Sequence, residues 1–453
     1  MKKVLAMLAA LAVLALAAAG LRQALHRESV PREELDIWGV GDTSESGSVG
    51  TGDAPEEAGG ASGNGSDSLP PDTGAAGAVG GCSVWISYLE WESVDFSTQE
   101  AFTQQISTML TNCANLGADS VIVQVRPFGD ALYRSELFPA SHLLTGTQGQ
   151  GVDYDPLELL VTGAHAAGLK IEAWLNPYRV RLDARKPAVL SADNPAVRWA
   201  DDPATAGYVH TVGEGIYYDP GQPAVRQLIE DGVRELVENY DVDGIVLDDY
   251  FYPTTDAAFD ADTYAAFGGG LALDDWRREN VDQLVRETYA LIKAAREDCT
   301  FGISPSGNLA NNLQQQYSDV TLWLAQPGYV DYLMPQLYWG FDYMTGSGSR
   351  AFAFENCLAD WAALPRCAGV GLRVALGAYR IGDGDGTAAD STEWSSGDNL
   401  ARQAMAAALY TDGFSLYRYD FLYKNTAYPD LTTKELAALQ TVLSLREGWQ
   451  AKG

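Results

Sequence analysis

The sequence has little positive charge and almost no histidine. Lys and Arg total 30 against 61 Asp and Glu, a formal net charge of -31 at pH 7 over 453 residues. A chain this acidic is repelled by polyanions, which argues against binding nucleic acid or anionic lipid surfaces through charge. The four histidines (26, 142, 165 and 210) are scattered, and the five cysteines follow no metal-binding spacing. We therefore expect no metal site and no cofactor.

Motifs for nucleophilic or phosphate chemistry are also missing. The chain shows no Ser-His-Asp arrangement, no Cys-His pair, and no glycine-rich phosphate loop after its first strand-like run. Export would permit disulfides, and Cys357 and Cys367 are the nearest pair in sequence, but the odd number of cysteines favours buried thiols for most of them. The remaining chemistry is that of carboxylates.

The first residues have the pattern of an export signal. A basic start, MKK, precedes eighteen residues without charge, VLAMLAALAVLALAAAGL. Residues 1–27 are thus predicted to be a signal peptide or an uncleaved N-terminal membrane anchor. No cysteine follows closely enough for lipid attachment. In either case we expect the rest of the chain to work outside the cytoplasm, touching the membrane only through this segment.

The composition of the chain changes after this apolar segment. Residues 28–81 consist mostly of Gly, Ser, Ala and acidic residues, with very few large apolar side chains. Such a segment cannot bury enough surface to offset the entropy lost on ordering, so it is predicted to be a disordered linker. The folded domain is predicted to span residues 82–446.

From Cys82 onward, strand-like apolar runs alternate with helical patterns. Eight runs occur, and their sequences are CSVWISYLE, DSVIVQVRP, LKIEAWLNP, DGIVLDDY, TFGISPSG, DYLMPQLYW, RVALGAYR and GFSLYRYD. Eight strands alternating with helices in about 360 residues predict an α/β fold, a closed (β/α)8 TIM-type barrel. An open doubly wound sheet is the alternative. Between the third and fourth strands, residues 180–217 are predicted to form an excursion over the barrel mouth.

Polar and aromatic residues gather where these runs end, which is where such barrels carry function. In DGIVLDDYFYP, three branched apolar residues are followed directly by Asp248 and Asp249. Alternation along a strand places Asp248 on the same side as Val246. Adjacent buried carboxylates repel each other and raise each other's pKa, which indicates a functional pair. The structural alternative is that one of them caps the next turn.

Seven motifs in chain order resemble the bacterial glycosyl-hydrolase-like family ten. They are VWISYLEW, QVRPFGDALYRSELFP, YDPLELLVTGAHAAGLKIEAWLNPYRV, VDGIVLDDYFYP, WRRENV, FGISPSG and MPQLYW, within residues 82 to 425. The resemblance implies an extracytoplasmic glycoside hydrolase that acts on bacterial cell-envelope glycan, with peptidoglycan-type strands as the leading substrate class. The alternative is a non-catalytic carbohydrate-binding barrel at the cell surface.

The candidate site follows from the strand ends. Asp248 and Asp249 are the predicted catalytic residues. Stacking aromatics and planar hydrogen-bonding groups suit sugars, and the predicted substrate-binding residues are Arg126, Asp130, Asn176, Tyr178, Tyr250, Gln336, Tyr338 and Trp339. Arg126 could instead form an ion pair with Asp130 or Asp248. Arg277 and Arg278 in WRRENV are expected to include at least one solvated or interdomain side chain.

The second carboxyl group and the mechanism stay open at this point. Glycosidases pair two carboxyl groups, and the candidates here are Asp249, Asp130, Glu90 and Asp420. The fourth run loosely resembles that of family-eighteen chitinases, in which the sugar's acetamido group is the nucleophile, but Tyr250 stands where their glutamate would be. Retaining, inverting and substrate-assisted routes all remain alternatives.

Overall fold

Eight parallel strands close into a barrel in the computed structural model, which describes residues 81–184, 186–386 and 393–450. Neighbouring strands around the barrel follow the order β1-β11-β10-β9-β8-β7-β3-β2. Their bounds are β1 Gly81–Ile86, β2 Ser120–Arg126, β3 Lys170–Leu175, β7 Gly244–Leu247, β8 Thr300–Ile303, β9 Tyr332–Leu333, β10 Gly371–Gly377 and β11 Gly413–Tyr417. Each strand falls within or at the edge of one predicted run, so the predicted (β/α)8 barrel is confirmed.

Fourteen α-helices surround and connect the strands in the described residues. They are α1 Tyr88–Trp91, α2 Gln99–Leu116, α3 His142–Thr145, α4 Pro156–Ala166, α5 Pro195–Asp201, α6 Pro223–Asn239, α7 Ala261–Phe267, α8 Leu273–Ala295, α9 Leu309–Gln314, α10 Val320–Ala325, α11 Phe354–Ala362, α12 Asn399–Ala407, α13 Tyr419–Tyr423 and α14 Pro429–Gln450. The barrel thus begins at Gly81, one residue before the predicted domain start, and α14 runs past residue 446. The predicted signal or anchor (1–27) and residues 28–80 of the predicted linker lie outside the described residues.

Local sequence sets the ends of these helices. The Thr98 side chain accepts the Ala101 N–H at the start of α2, and Gly117 ends that helix with φ of 94°. A left-handed residue at this position favours glycine because a Cβ would clash there. The Asp155 side chain likewise accepts backbone N–H groups at the start of α4. The next residue is a proline, which has no backbone N–H, and an N–H at this position would have no partner within the helix.

Alternation along the strands separates two apolar layers. Trp85, Ile122, Trp174 and Val246 fill the barrel interior, whereas their chain neighbours face the surrounding helices and belong to the larger outer core. In β7 this puts Ile245 and Leu247 outside and Val246 inside. Because Asp248 follows directly, the strand brings its side chain to the carboxyl end of the barrel.

A polar layer fills the opposite end of the interior. Glu172 accepts a hydrogen bond from the Tyr332 hydroxyl at 2.5 Å and pairs with Arg373 at 3.5 Å. Gly244 and Gly302 leave room for this layer, since a Cβ on Gly302 would lie 2.1 Å from the Tyr332 ring. The barrel is therefore packed below the mouth, as small barrels of this type are.

The excursion between β3 and β7 has structure of its own. It contains α5 and a three-stranded antiparallel sheet of order β4-β6-β5, with bounds β4 Arg179–Arg181, β5 Val209–Val212 and β6 Gly215–Tyr218. Asn194 in this segment donates to the Gly129 carbonyl at 2.8 Å, so the excursion packs against the loop that follows β2.

The five cysteines all lie in the described part of the chain, and no disulfide joins any of them. Four are buried, which confirms the expectation of buried thiols for most of them. No helix within residues 81–184, 186–386 and 393–450 has the length and apolar character needed to cross a membrane.

Candidate active site

Asp248 and Asp249 lie side by side at the carboxyl end of β7, and both are buried, with 4% and 9% of their surface exposed. They have separate polar partners. Asn176, just after β3, donates its amide to Asp248 Oδ2, and the Tyr250 N–H approaches Oδ1 at 3.4 Å. Each oxygen of Asp249 accepts a side-chain amide from the segments that follow β8 and β9, from Gln316 (2.8 Å) and Gln336 (3.1 Å) respectively.

Burial makes the ionised form of both acids costly. It raises the pKa of Asp248, and the neighbouring Asp249 charge raises that pKa further, while Arg179 lowers it. Burial also raises the pKa of Asp249, but the amides of Gln316 and Gln336 oppose that rise because they stabilise the carboxylate. When the pair holds one proton, these partners favour Asp248 as the protonated member.

Behind Asp248 runs a chain of amides. Gln124 Nε2 donates to Asn176 Oδ1 at 2.5 Å, and Arg179 Nη2 donates to the same oxygen at 3.0 Å. Arg179 also donates from Nε to the Pro127 carbonyl at 3.0 Å. Its guanidinium lies 5.8 Å from the Tyr250 ring centroid. The acid is therefore fixed by side chains from β2 and from the segment after β3.

Aromatic rings line the interior next to the pair. Tyr338 stacks on Tyr417 with centroids 5.5 Å apart, and Tyr379 meets Tyr338 edge to face at 5.6 Å. Trp85 and Trp174 lie below, 4.9 Å apart. Burial, the neighbouring tyrosines and the Asp249 charge together raise the pKa of Tyr338 well above its ordinary value. The acids thus face a floor of neutral aromatic groups.

The structure brings six of the predicted site residues together. Asp248, Asp249, Asn176 and Gln336 form the polar network described above, and Tyr338 belongs to the aromatic floor. Tyr250 is 49% exposed, and the neighbouring Asp249 charge raises its pKa. It therefore lies beside the acids at the rim.

Arg126 is not in this group, and its placement does not support the predicted substrate contact. The strand register shifts between Gln124 and Arg126, and Arg126 then pairs with Leu175, an outer-layer residue. The side chain is fully buried, 4.5 Å from the Phe138 ring centroid. Its nitrogens make no hydrogen bond to any described residue, so the alternative ion pairs with Asp130 and Asp248 are also absent there.

Asp130 and Tyr178 also lie away from the acids, and both contact residues that hold the fold together. Asp130 Oδ2 accepts from His142 Nδ1 and Gln148 Nε2, both at 2.9 Å, which fixes the loop after β2. Tyr178 is fully buried in the outer core. Burial raises its pKa, so its hydroxyl stays neutral. Neither placement supports the predicted substrate contact.

Trp339 occupies an intermediate position. It is half-buried and stacks on Phe352 with centroids 5.4 Å apart. Its carbonyl accepts the Gln403 amide at 2.8 Å. One face of the indole is therefore used in packing the loop after β9.

The other candidates for a second carboxyl group are engaged elsewhere. Glu90 is fully buried and accepts bonds from Arg418, from the Ser87 hydroxyl at 2.6 Å and from the Asp420 N–H at 3.1 Å. Asp420 pairs with Lys424 at 3.1 Å. Of the four candidates, Asp249 is the one beside Asp248.

Sequence reasoning missed three residues of the network. Gln124 could have been found, since strict alternation along β2 directs it inward with Ile122. Arg179 lies three residues after Asn176, in NPYR, where the irregular segment gives no directional signal. Gln316 lies in a loop between α9 and α10, and only the folded chain brings it to Asp249.

The described residues contain no group of three or more His, Cys, Asp or Glu side chains arranged to hold a metal ion. The site's polar groups are two carboxylates, several amides and a guanidinium.

Comparison with known proteins places the chain in a family. Residues 82–386 match the family model for Glycosyl hydrolase-like 10. The chain is 34% identical over 302 residues to glycosyl hydrolase YngK of Bacillus subtilis, an alignment that covers 62% of this chain and 56% of YngK. It is 32% identical over 346 residues to glycosyl hydrolase DigH of Escherichia coli K12, covering 70% of this chain and 77% of DigH.

Solved structures share the fold at low sequence identity. The glycoside hydrolase domain of PgaB (BpsB) from Bordetella bronchiseptica aligns with a TM-score of 0.50 at 13% identity, covering 78% of this chain and 98% of that domain. The catalytic domain of a β-amylase from Paenibacillus polymyxa gives a TM-score of 0.50 at 12% identity, covering 80% and 99%. The match to the family model over residues 82–386 shows that the chain belongs to the glycosyl hydrolase-like 10 family, which confirms the resemblance and the enzyme class predicted from the sequence.

Proposed function

We propose that this protein hydrolyses glycan strands of the bacterial cell envelope, of the peptidoglycan type, with Asp248 as general acid and Asp249 as its charged partner. The observation that carries this proposal is the pair itself. Two adjacent buried carboxyl groups are held by separate polar networks beside an aromatic floor at the barrel mouth. Pairs of acids whose surroundings separate their pKa values mark acid and base roles.

Hydrogen bonding supports this division of roles. Both oxygens of Asp249 accept amide hydrogens. If Asp249 were protonated, its O–H group would face one of these amide donors, and that hydrogen bond would be lost. Asp248 has one well-formed acceptor contact, through Oδ2, and its Oδ1 is approached only at 3.4 Å. The proton therefore resides on Asp248, the state a general acid needs.

The reaction we propose follows from these states. Asp248 gives its proton to the glycosidic oxygen while the bond from that oxygen to the anomeric carbon breaks, and the oxygen keeps the electron pair. The Asp249 carboxylate stabilises the positive charge that develops on the sugar. Water supplies the hydroxyl group that ends on the anomeric carbon, and its remaining proton restores Asp248.

The aromatic floor supports a sugar substrate. Tyr338, Tyr379 and Tyr417 present ring faces and edges next to amide groups, and this combination binds the apolar faces and hydroxyls of pyranose rings. The sugars of peptidoglycan strands carry acetamido groups, for which a carboxylate such as Asp249 is a suitable hydrogen-bond acceptor.

The proposed location outside the cytoplasm rests on the sequence. The MKK start and the uncharged stretch after it are typical of exported or membrane-anchored proteins, and cell-wall glycan is found outside the membrane. Fractionation of cells expressing the full chain, before and after protease treatment of intact spheroplasts, tests this part of the proposal.

The decisive experiment compares Asp248→Asn, Asp249→Asn and Asp262→Asn on purified glycan strands stripped of peptides, with products identified by mass spectrometry. Asp262 is an exposed acid at the start of α7, so it controls for the loss of one charge. Removing a catalytic carboxyl group commonly costs at least about 10²-fold in rate. We expect that loss for Asp248→Asn, a large loss for Asp249→Asn, and the wild-type rate for Asp262→Asn.

Two outcomes would oppose the proposal. An Asp248→Asn protein that melts normally and hydrolyses at the wild-type rate would remove Asp248 from the mechanism. A wild-type protein that binds glycan strands without releasing any product, and whose affinity survives Asp248→Asn, would instead be a carbohydrate-binding barrel.

A further inference from the structure

We propose that Gln124 and Arg179 are positioning residues that orient the Asn176 amide and thereby fix the proton of Asp248 on Oδ1, the oxygen left for the substrate. This role presupposes the proposed function, because it concerns the acid of the same site. Neither Gln124 nor Arg179 follows from the paired-acid pattern itself.

Two donors converge on one atom of Asn176. Gln124 Nε2 and Arg179 Nη2 both donate to Asn176 Oδ1, at 2.5 and 3.0 Å. A flipped amide would turn its NH₂ group toward both donors, and three buried polar groups would lose their partners. Each such loss is costly, because a buried polar group without a partner keeps its full desolvation penalty. The Asn176 amide therefore has one stable orientation, with Nδ2 toward Asp248.

That orientation decides which oxygen of Asp248 can be protonated. Because Asn176 Nδ2 is a donor, Asp248 Oδ2 must accept. A proton on Oδ2 would face the hydrogen that Asn176 Nδ2 donates, and the two would repel each other. The proton is therefore confined to Oδ1, whose other neighbour is the Tyr250 N–H at 3.4 Å.

The two positioning residues are themselves oriented by the backbone. Gln124 Oε1 accepts the Tyr88 N–H at 2.9 Å, so its amide must direct Nε2 toward Asn176. Arg179 Nε is bound to the Pro127 carbonyl at 3.0 Å, and its guanidinium lies 5.2 Å from the Phe128 ring centroid. Main-chain groups at one end of the network thus determine the position of the acid proton at the other.

Gln124→Glu and Gln124→Met separate orientation from packing. The carboxyl group of Gln124→Glu keeps an acceptor for the Tyr88 N–H, but once ionised it cannot donate to Asn176 Oδ1. While protonated it can donate as glutamine does. Because this position is fully buried, we expect the pKa of the introduced carboxyl group to be raised above its ordinary value. The activity of Gln124→Glu should then approach the wild-type value toward about pH 5 and fall below it roughly tenfold or more near pH 8. Gln124→Met should lose roughly tenfold in kcat at every pH, with KM within about twofold.

Gln105→Glu is the matched control. Gln105 accepts the Asp95 N–H at 3.1 Å through the same atom type, outside the mouth. We expect its ratio to wild-type activity to stay flat across the same pH range. Arg179→Lys adds an independent test, because lysine keeps the charge but lacks the planar fork that reaches both Pro127 O and Asn176 Oδ1. It should also lower kcat more than it raises KM.

The outcomes separate this role from the proposed function. If Asp248→Asn abolishes hydrolysis while Gln124→Met keeps wild-type kcat, the glycosidase stands and the positioning role is overturned. If Gln124→Glu loses the same activity at all pH values, Gln124 acts through packing alone, and the role is again overturned. If Asp248→Asn remains active, the proposed function itself fails.

Discussion

Glu90 and Asp248 are both buried carboxylates at strand ends, but their surroundings assign them different roles. Glu90 has a cationic partner, Arg418, together with hydroxyl and backbone donors. Asp248 has amide and backbone donors, and no salt bridge reaches it from the residues that the structure describes. The ion pair of Glu90 with Arg418 gives it a structural role, whereas a buried acid without a cationic partner, such as Asp248, is available for proton transfer.

Glu90→Gln is expected to destabilise the fold without changing the chemistry of the site. The substitution removes a charge-assisted contact with Arg418 and turns one end of the side chain into a donor that faces the Ser87 N–H or the Asp420 N–H. Losing hydrogen bonds to a charged group costs about 1.5–3 kcal/mol. Urea unfolding at neutral pH measures this change, and kcat on glycan strands should stay within about threefold of wild type. A large kcat loss with unchanged stability would place Glu90 in the reaction.

Asp248→Asn is expected to stabilise the fold at alkaline pH. Burial and Asp249 raise the pKa of Asp248 above its value in the unfolded chain. A group of this kind stabilises the folded state fully below its unfolded pKa, and that contribution is lost as pH rises through the folded pKa. The wild type therefore loses stability with rising pH through this group, and asparagine does not.

Thermal melting across the pH range checks this expectation. The difference in Tm, variant minus wild type, should increase from about pH 5 to about pH 8. Asp262→Asn serves as the reference for an exposed acid. A difference in Tm that shrinks over that range would mean that the Asp248 carboxylate is stabilised in the fold, contrary to its assignment as the acid.

Strands and their connections explain which predictions from the sequence succeeded. The eight apolar runs coincide with β1 to β3 and β7 to β11, because parallel barrel strands are buried on both sides and read as continuous apolar segments. Alternation also placed Asp248 correctly at the end of β7. Strict alternation does not hold at Arg126, since the irregularity after Gln124 reverses the side of the strand, and no residue pattern in the sequence indicates that shift. Likewise, contacts such as Gln316 with Asp249 depend on loop paths that periodicity does not encode.

Arg277 shows how a helix secures the loop that carries the site. We expected one of Arg277 and Arg278 to be solvated, and Arg278 pairs with Asp275 at a partly exposed position. Arg277 is fully buried. It donates twice to Asp260, at 2.6 and 2.9 Å, and also to the Tyr317 hydroxyl and the Asp256 carbonyl. The connection after β7, which begins with Asp248 and Asp249, is thus tied to α8.

Arg277→Lys should therefore be costly although it keeps the charge. Lysine has three donors on one atom and cannot reproduce a planar fork that binds two oxygens of one carboxylate. We expect a loss of roughly 3 kcal/mol in the free energy of unfolding from the missing charged hydrogen bonds. Arg278→Lys is the matched control and should change stability by less than about 0.5 kcal/mol. Equal effects in urea unfolding would show that the fork at Arg277 is not what holds this connection.

The barrel as a whole depends on its first strand to close. β1 pairs with β2 on one side and with β11 on the other, and the register with β11 begins at Gly81 opposite Gly413. The Cys82 N–H is also bound by Asp119 at 2.7 Å. Residues 28–80 have too few large apolar side chains to contribute to the core, and residues 1–27 are predicted to be a signal or anchor. We therefore expect the sequence that specifies the fold of the domain to begin at this strand.

Removal of residues 1–80 is accordingly expected to leave a folded, active domain. Its Tm should match that of the full chain within about 2 °C, and its kcat on glycan strands should be unchanged, because the core that the structure describes and both acids lie after Gly81. The control is a second truncation that also removes residues 81–86. That protein loses the strand between β2 and β11 and exposes two strand edges and the apolar side chains that pack on Val84 and Ile86, so it should unfold or aggregate. Circular dichroism melts and size-exclusion chromatography distinguish these states. If the first truncation aggregates as the second does, the segment before Gly81 packs on the barrel, and the boundary argued from composition is wrong.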